Sequence, residues 1–450
     1  MLNFEDRTGP DLGSDAPEYP NVPVADWYRD AKLGFFIHWG LYSVPAWGTP
    51  KGAYKVQVED AYTYHQYAEW YANTVRILGS PTQRHQAQTY GPGTTYEDLA
   101  DLWHPDTFDA DALISQLTDA GGKYVVPTTK HHDGFCLWGT KTTPFNVVSR
   151  GPGRDLIKEI AEATRKHGAR VGLYFSGALD WHVSEFPPIE SDTDLFRFRR
   201  NDADYSRYAA DQLQELVDNF SPDILWNDID WPDGGKGREP YGLAALLGRY
   251  FDGNPDGVIN DRWGVPLHGY LTREYSHVPE ILEKPWEATR GLGASFGFNQ
   301  NEGPEHTLTE AELVHLLIDV VSKNGNLLLN VGPRADGTIP EIQQERLRQL
   351  GAWMRVNGEA IYGTRPWTRC GEQFTPADRS PVSYTAKGDV LYIHALDPAR
   401  GQVALPAEAA SSPVEWLTAA GPVTSTVANG LTTIPAELRS QVAATARVRL

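Results

Sequence analysis

Near the middle of the chain, the stretch SPDILWNDIDWPDGG (221–235) closes a short apolar run with two carboxylates, Asp228 and Asp230, set between Trp226 and Trp231. Carboxylates beside indole rings are costly unless something compensates them. One reading is a polar strand end entering a Gly-rich loop. The other is chemistry, because a carboxylate aimed into a pocket can serve as nucleophile, base or acid. A second cluster, KHHDGF (130–135), sets His131, His132 and Asp133 in succession, all metal-ligand types. Neighbours on an extended segment face opposite sides, and no His-x-x-x-His pair accompanies them, so no metal is expected. Neutral imidazole both donates and accepts, which suits a sugar hydroxyl. A metal-dependent hydrolase built on His131, His132 and Asp133 is the competing chemistry. His38 in FIHWG and Arg262 in INDRWG join the set. A lone His between apolar residues is often a satisfied core residue, whereas a guanidinium at a strand end can hold a carboxylate or ring substituents.

These side chains need elements that bring them together. KLGFFIHWGLYSV (32–44) and KYVVPTTKHHDGF (123–135) read as buried strands running into loops. DADALISQLTDAGG and DLIKEIAEATRKHGA have apolar residues at helical spacing and end on glycine. The alternation continues through strand RVGLYFSG, helix DADYSRYAADQLQELVDNF, strand DILWND, helix YGLAALLGRYF and strand GVIND. Helix LTEAELVHLLIDVVSKNG, with Thr309 and Glu312 as a capping box, leads to strand NLLLNVG, and a last long helix starts at Pro340. Strands alternating with helices imply a parallel sheet, doubly wound or closed as a (β/α)8 barrel. No Gly-x-Gly-x-x-Gly and no P-loop supports a nucleotide fold. His38, His131 with His132, Tyr174, Asp228 and Arg262 stand at or just past the C-terminal ends of different predicted strands. In a barrel those ends share one face, where active sites are built. The predicted fold is therefore α/β, a (β/α)8-like TIM barrel over residues 26–364, with a Pro-rich arm (1–25) before it. From about 365 short β-rich runs such as VSYTAKGDVLYIHAL predict a small C-terminal antiparallel β-sandwich domain, 365–450.

Composition narrows the function classes. A formal charge of −19 argues against a nucleic-acid partner or an anionic membrane surface. The 14 Trp and 21 Tyr fit either a large aromatic core or a surface that stacks against sugar C–H faces. Two cysteines, Cys136 and Cys370, make no disulfide framework. The N-terminal residues show no basic start and no apolar stretch, and no run of about 18 apolar residues occurs, so a cytoplasmic protein is expected.

The chain resembles the α-L-fucosidases of glycoside hydrolase family 29 over roughly residues 24–365. The matching stretches include WYRDAKLGFFIHWGLYSVPAW, YVVPTTKHHDGFCLW, GLYFSGALDW, DILWNDIDWP, INDRWG, WEATRGLGASFGFNQNE, SKNGNLLLNVGPRADGTIP and NGEAIYGTRPW, in the same order. The resemblance implies hydrolysis of terminal α-L-fucosides with retained configuration, on fucosylated oligosaccharides or glycoconjugates, without a cofactor. It assigns Asp228 as nucleophile; Asp230, two residues on, is expected from its position to orient neighbours or face the loop. The resemblance also implies sugar binding by His38, Glu69, Trp70, His131, His132, Tyr174, Trp226, Arg262 and Phe296. Glu274 in LTREYSH, read as a loop residue, is the expected acid/base, with Glu283, Glu287 and Glu302 as nearby alternatives. Glu69 and Trp70 follow an insertion longer than the family pattern. A non-catalytic carbohydrate-binding barrel would keep the aromatics and histidines and lose a carboxylate, which this chain has not done. A second copy of the chain stays open as a partner.

Overall fold

Eight short stretches form one parallel sheet in the computed structural model, which describes residues 16–266, 269–373, 379–410 and 412–450. They are β1 (Leu33–Ile37), β2 (Tyr124–Lys130), β3 (Arg170–Ser176), β4 (Ile224–Asp228), β5 (Val258–Ile259), β6 (Leu271–Glu274), β7 (Trp286–Gly291) and β8 (Gly325–Val331). Their order is β5-β4-β3-β2-β1-β8-β7-β6. A parallel bridge between Asn260 and Tyr270 joins the two outer strands, so the sheet curls into a barrel with neighbours in sequence order. Strands covered on both faces read as near-continuous apolar runs, and β1, β2, β4 and β8 are buried at every position.

Side chains pointing into the barrel form their own cluster, which includes Phe36, Tyr124, Tyr174, Trp226, Tyr270 and Leu328, with Tyr28 entering from helix Asp26–Ala31. A larger cluster fills the space between the strands and the helices outside them. Each buried Leu, Ile or Phe contributes about 1.5–3 kcal/mol relative to exposure, so this double shell supplies most of the drive to close the ring. The helices begin where the sequence says they should. Asp155 accepts from the Lys158 amide at 2.9 Å, and Thr309 with Glu312 makes the expected reciprocal cap.

Two strands were not visible in the sequence. Among the described residues no helix separates β5 from β6 or β6 from β7, so the alternating pattern lapses there. These strands also turn polar residues inward, Thr272 and Glu274 on β6 and Glu287 and Thr289 on β7, which erases the apolar signature. Glu274 is consequently a strand-end residue and not a loop residue.

Beyond Thr364, a six-stranded antiparallel sheet and a three-stranded one share an apolar core that includes Tyr384, Ile393, Val403 and Trp416. This region rests on the outside of the barrel. His315 Nε2 bonds the Val442 carbonyl at 2.8 Å, and Arg447 pairs with Glu359 at 3.0 Å. Of the predicted N-terminal arm, residues 1–15 lie outside the described residues. The remainder is tied down by Tyr19, which donates to the Lys236 carbonyl at 2.8 Å. Among the described residues no helix is long and apolar enough to cross a membrane.

Candidate active site

At the C-terminal ends of the strands lies a cleft of about 790 Å³. The side chains singled out from the sequence all line it: His38, Glu69, Trp70, His131, His132, Tyr174, Trp226, Asp228, Arg262, Glu274 and Phe296. They come from the ends of β1 to β4, from a turn between β1 and β2 that carries Glu69 and Trp70, from the segments after β5 and β7, and from the end of β6.

Asp228 closes β4 and is 8% exposed. Tyr174 donates to its Oδ2 at 2.9 Å, and Arg262 Nη1 donates to its Oδ1 at 2.9 Å. Burial pushes this carboxyl upward, but the Arg262 guanidinium and the two hydrogen bonds outweigh it and hold it below the usual carboxylate range. Arg262 also reaches Glu274 Oε2 through Nη2 at 3.1 Å. The two carboxyl groups are thus no further apart than one guanidinium and two hydrogen bonds allow. Glu274 moves the other way. Burial raises it, Asp228 adds to the rise, and Arg262 only partly opposes it. One cation therefore serves an acid held ionised and an acid inclined to keep its proton.

The chain just past Asp228 is strained. Ile229 and Asp230 have φ of 53° and 62°, a region that costs a non-glycine residue on the order of 1–3 kcal/mol. Arg199 holds the turn by pairing with Asp230 Oδ2 at 2.9 Å, while Asn227 Nδ2 donates to the Asp230 and Arg262 carbonyls. Asp230 does not line the cleft. Its place between indoles is explained by this ion pair, which braces the strand end.

The histidines are kept neutral by burial. His38 is lowered to about 4, mainly by burial, and its Nδ1 donates to Asn330 Oδ1 at 2.7 Å, which leaves the lone pair on Nε2. His132, also lowered to about 4 by burial, bonds Ser176 Oγ through Nδ1 at 2.6 Å. That hydroxyl gives its own proton to the Leu179 carbonyl, so His132 Nδ1 carries the hydrogen and Nε2 is an acceptor, 3.7 Å from Asp228 Oδ2. His131 lies well below the usual range through burial and its His132 and His38 neighbours, and its Nδ1 is buried without a partner.

The expectation that His131 and His132 face opposite ways is corrected here. β2 ends at Lys130, and residues 131–134 make a turn closed by the Gly134 amide on the His131 carbonyl. Both rings enter the cleft, with centroids 4.1 Å apart. Gly134 adopts φ 79°, and a Cβ there would meet Asp180 Oδ1 at 2.3 Å, so the turn needs glycine. Asp180 is engaged by Lys130 Nζ at 3.0 Å in a fully buried pair that anchors the loop. Asp133 leaves the cluster to accept from Tyr96 at 2.6 Å. Among the described residues no three His, Cys, Asp or Glu side chains come together as a metal site.

Glu69 and Trp70, beyond the long insertion, sit in a 3-10 turn, Ala68–Trp70. Glu69 is buried and raised to about 8 by burial, which outweighs hydrogen bonds from the Gly297 amide and Ser295. Burial therefore favours its protonated form. Phe296 lies against the His38 ring at 4.9 Å, and Trp226 forms the floor beneath Arg262 at 4.7 Å. Of the alternative acids, Glu283 and Glu302 lie outside the cleft lining, and Glu302 accepts from the Ala294 and Ser295 amides in the loop that carries Phe296. Glu287 is buried under the floor.

Sequence reasoning missed Asn330, which orients His38, and Tyr67, whose hydroxyl lies 3.5 Å from Glu274 Oε1. It also missed the rim residues Tyr62 and His65. His65 stacks on Trp70 at 4.8 Å, and Tyr62 bonds Asp192 at 2.7 Å. Asn330 is a polar residue next to the last position of the apolar strand NLLLNVG, near the strand end as Asp228 is, so a signal was there. The others belong to a segment without periodicity.

The alpha-L-fucosidase family profile matches residues 13–359. The plasma alpha-L-fucosidase of Homo sapiens is 33% identical over 381 residues, spanning 82% of this chain and 75% of its own. The crystal structure of Thermotoga maritima alpha-fucosidase superposes with a TM-score of 0.85 at 42% identity, covering 95% of this chain and 97% of that one. Alpha-L-fucosidase isoenzyme 1 from Paenibacillus thiaminolyticus gives 0.74 at 29% identity, covering 94% and 98%.

Proposed function

Given that the chain belongs to the alpha-L-fucosidase family and is a glycoside hydrolase, we propose that it releases terminal α-L-fucose by double displacement with retained configuration. The observation that carries this reading is the single guanidinium of Arg262 bridging Asp228 and Glu274. Retaining glycosidases need two carboxyl groups only about 5–5.5 Å apart. Asp228, ionised and aligned by Tyr174 and Arg262, attacks the anomeric carbon. Glu274 gives its proton to the glycosidic oxygen as the bond to the aglycone breaks. The fucosyl ester on Asp228 is then hydrolysed by a water that yields its proton to Glu274, which restores both groups.

The remaining lining fits a sugar with several hydroxyls and one methyl. His38 and His132 present acceptors and the protonated Glu69 a donor, while Phe296 and Trp226 offer apolar surface to the methyl and ring faces. The substrates are fucosylated oligosaccharides or glycoconjugates. None of the cleft lining comes from the described residues of 365–450, which on this reading form a separate domain bracing the barrel.

Asp228→Ala tests the assignment. Turnover of an aryl fucoside with a good leaving group should fall by about a thousandfold or more with the fold intact. Azide, small enough for the vacated space, should partly restore it and yield fucosyl azide. A variant retaining more than about a tenth of wild-type turnover would place the nucleophile elsewhere.

A further inference from the structure

Of the three alternative acids, Glu283, Glu287 and Glu302, only Glu287 is wholly buried, and the reaction leaves it unused. It projects from β7 into the barrel beneath the cleft floor. Three donors from three other elements converge on it. Tyr28 and Tyr124 donate to Oε2 at 2.7 Å each, and the Trp226 indole donates to Oε1 at 2.9 Å.

We propose that Glu287 is a positioning residue for the reaction, fixing the Trp226 ring from below and, through it, the two donors that align Asp228. This rests on the reading of Asp228 as nucleophile. An indole N–H donates along one direction in the ring plane, so a single short bond to a fixed acceptor sets the rotation of the whole ring. Both side chains that align Asp228 pack against that ring. The Arg262 guanidinium lies over it at 4.7 Å, and the Tyr174 ring stacks on it at 5.6 Å with 20° between planes. Those two side chains supply the 2.9 Å hydrogen bonds to opposite oxygens of Asp228. Trp226 and Asp228 are two residues apart on β4, so they share a face of the strand and a shift in one is felt by the other. Burial raises the Glu287 carboxyl to about 7 despite its three donors. A plain core position would be filled at less cost by an amide or an apolar group. Glu287 makes no contact with the cleft, which separates it from a proton donor.

The test compares Glu287→Gln with Glu287→Ala. Glutamine keeps a carbonyl acceptor for the indole, and its kcat should stay within about threefold of wild type. Alanine removes the acceptor, and kcat should fall by about tenfold to a hundredfold with KM little changed. The loss should be equal for an activated aryl fucoside and a natural disaccharide. The acidic limb of kcat/KM should move to higher pH, because Asp228 loses aligned donors. If Glu287→Ala does not fold, Trp226→Phe, which keeps a ring and deletes the N–H, should show the same loss and the same limb shift. A change confined to thermal stability, with kcat and the limb in place, overturns the proposal. So does a loss selective for the poor leaving group, which makes Glu287 the acid. Asp228→Ala decides the nucleophile independently, so normal behaviour there with no effect at Glu287 counts against the positioning role alone.

Discussion

Two parts of the molecule bury histidine in the same neutral state and finish it differently. In the C-terminal sheet, His394 is fully enclosed and lowered to about 3 by burial. Its Nε2 bonds Thr385 Oγ1 at 3.1 Å and its Nδ1 bonds Thr445 Oγ1 at 3.1 Å, while Thr385 passes its own proton to the Ala360 carbonyl. Every donor and acceptor of that ring is used. At the barrel mouth, His131 Nδ1 has no partner, and the His132 Nε2 lone pair faces Asp228 across 3.7 Å. An unsatisfied buried polar group costs roughly 1–3 kcal/mol. The His394 ring avoids that cost and the His131 ring accepts it, so one has a closed hydrogen-bond set and the other keeps a bonding position unused at the cleft.

The sharpest way to break this contrast is at Glu274, where the spare capacity is a proton. Glu274→Ala should slow hydrolysis of a natural disaccharide by roughly 10²–10⁴-fold and that of an activated aryl fucoside far less. The group's pKa is raised, and the acid form is the one required, so wild-type kcat/KM should decline as pH rises through it. That basic limb should vanish in the variant, while the acidic limb set by Asp228 persists. Equal slowing of both substrates would remove Glu274 from the role.

A smaller effect compares the two histidines directly. His394→Ala strands the Thr445 hydroxyl in a dry core, leaves Thr385 only its bond to the Ala360 carbonyl, and should cost about 1–3 kcal/mol of stability with kcat unchanged. His131→Phe removes a partnerless nitrogen while keeping a ring against Tyr174, so it should leave stability level or higher and lower kcat/KM by about tenfold or more. Thermal denaturation and steady-state rates on both variants check this. If His131→Phe destabilises as much as His394→Ala and keeps its activity, the two regions are alike and the contrast is empty.

How far the fold could be read in advance follows the same physics. Helix Glu310–Ser322 was visible because its capping box and apolar face are local. Asp228 and His38 were visible because each ends an unbroken apolar strand. β6 and β7 were hidden because their inward residues are Thr and Glu, which serve the site and the barrel floor instead of an apolar core. Glu274 and Glu287 illustrate the consequence. They are 13 residues apart and indistinguishable as loop acids in sequence, yet strand position sends one into the cleft and the other under its floor. The paired entry of His131 and His132 was misjudged because a turn, enforced by Gly134, replaces the extended chain assumed for them. Tyr62, His65 and Tyr67 lie in a segment of turns whose path only tertiary contacts such as the Tyr62–Asp192 bond define.

The central claim is that Asp228 becomes covalently fucosylated during turnover. Incubation with 2-deoxy-2-fluoro-α-L-fucosyl fluoride should trap that ester, since the electron-withdrawing fluorine slows its hydrolysis more than its formation. Peptide mass spectrometry of the inactivated enzyme should then find one fluorofucosyl group, on the peptide carrying Asp228. A label on Glu274, Glu287 or any other residue, or turnover of the reagent with no adduct and inverted product, would contradict it.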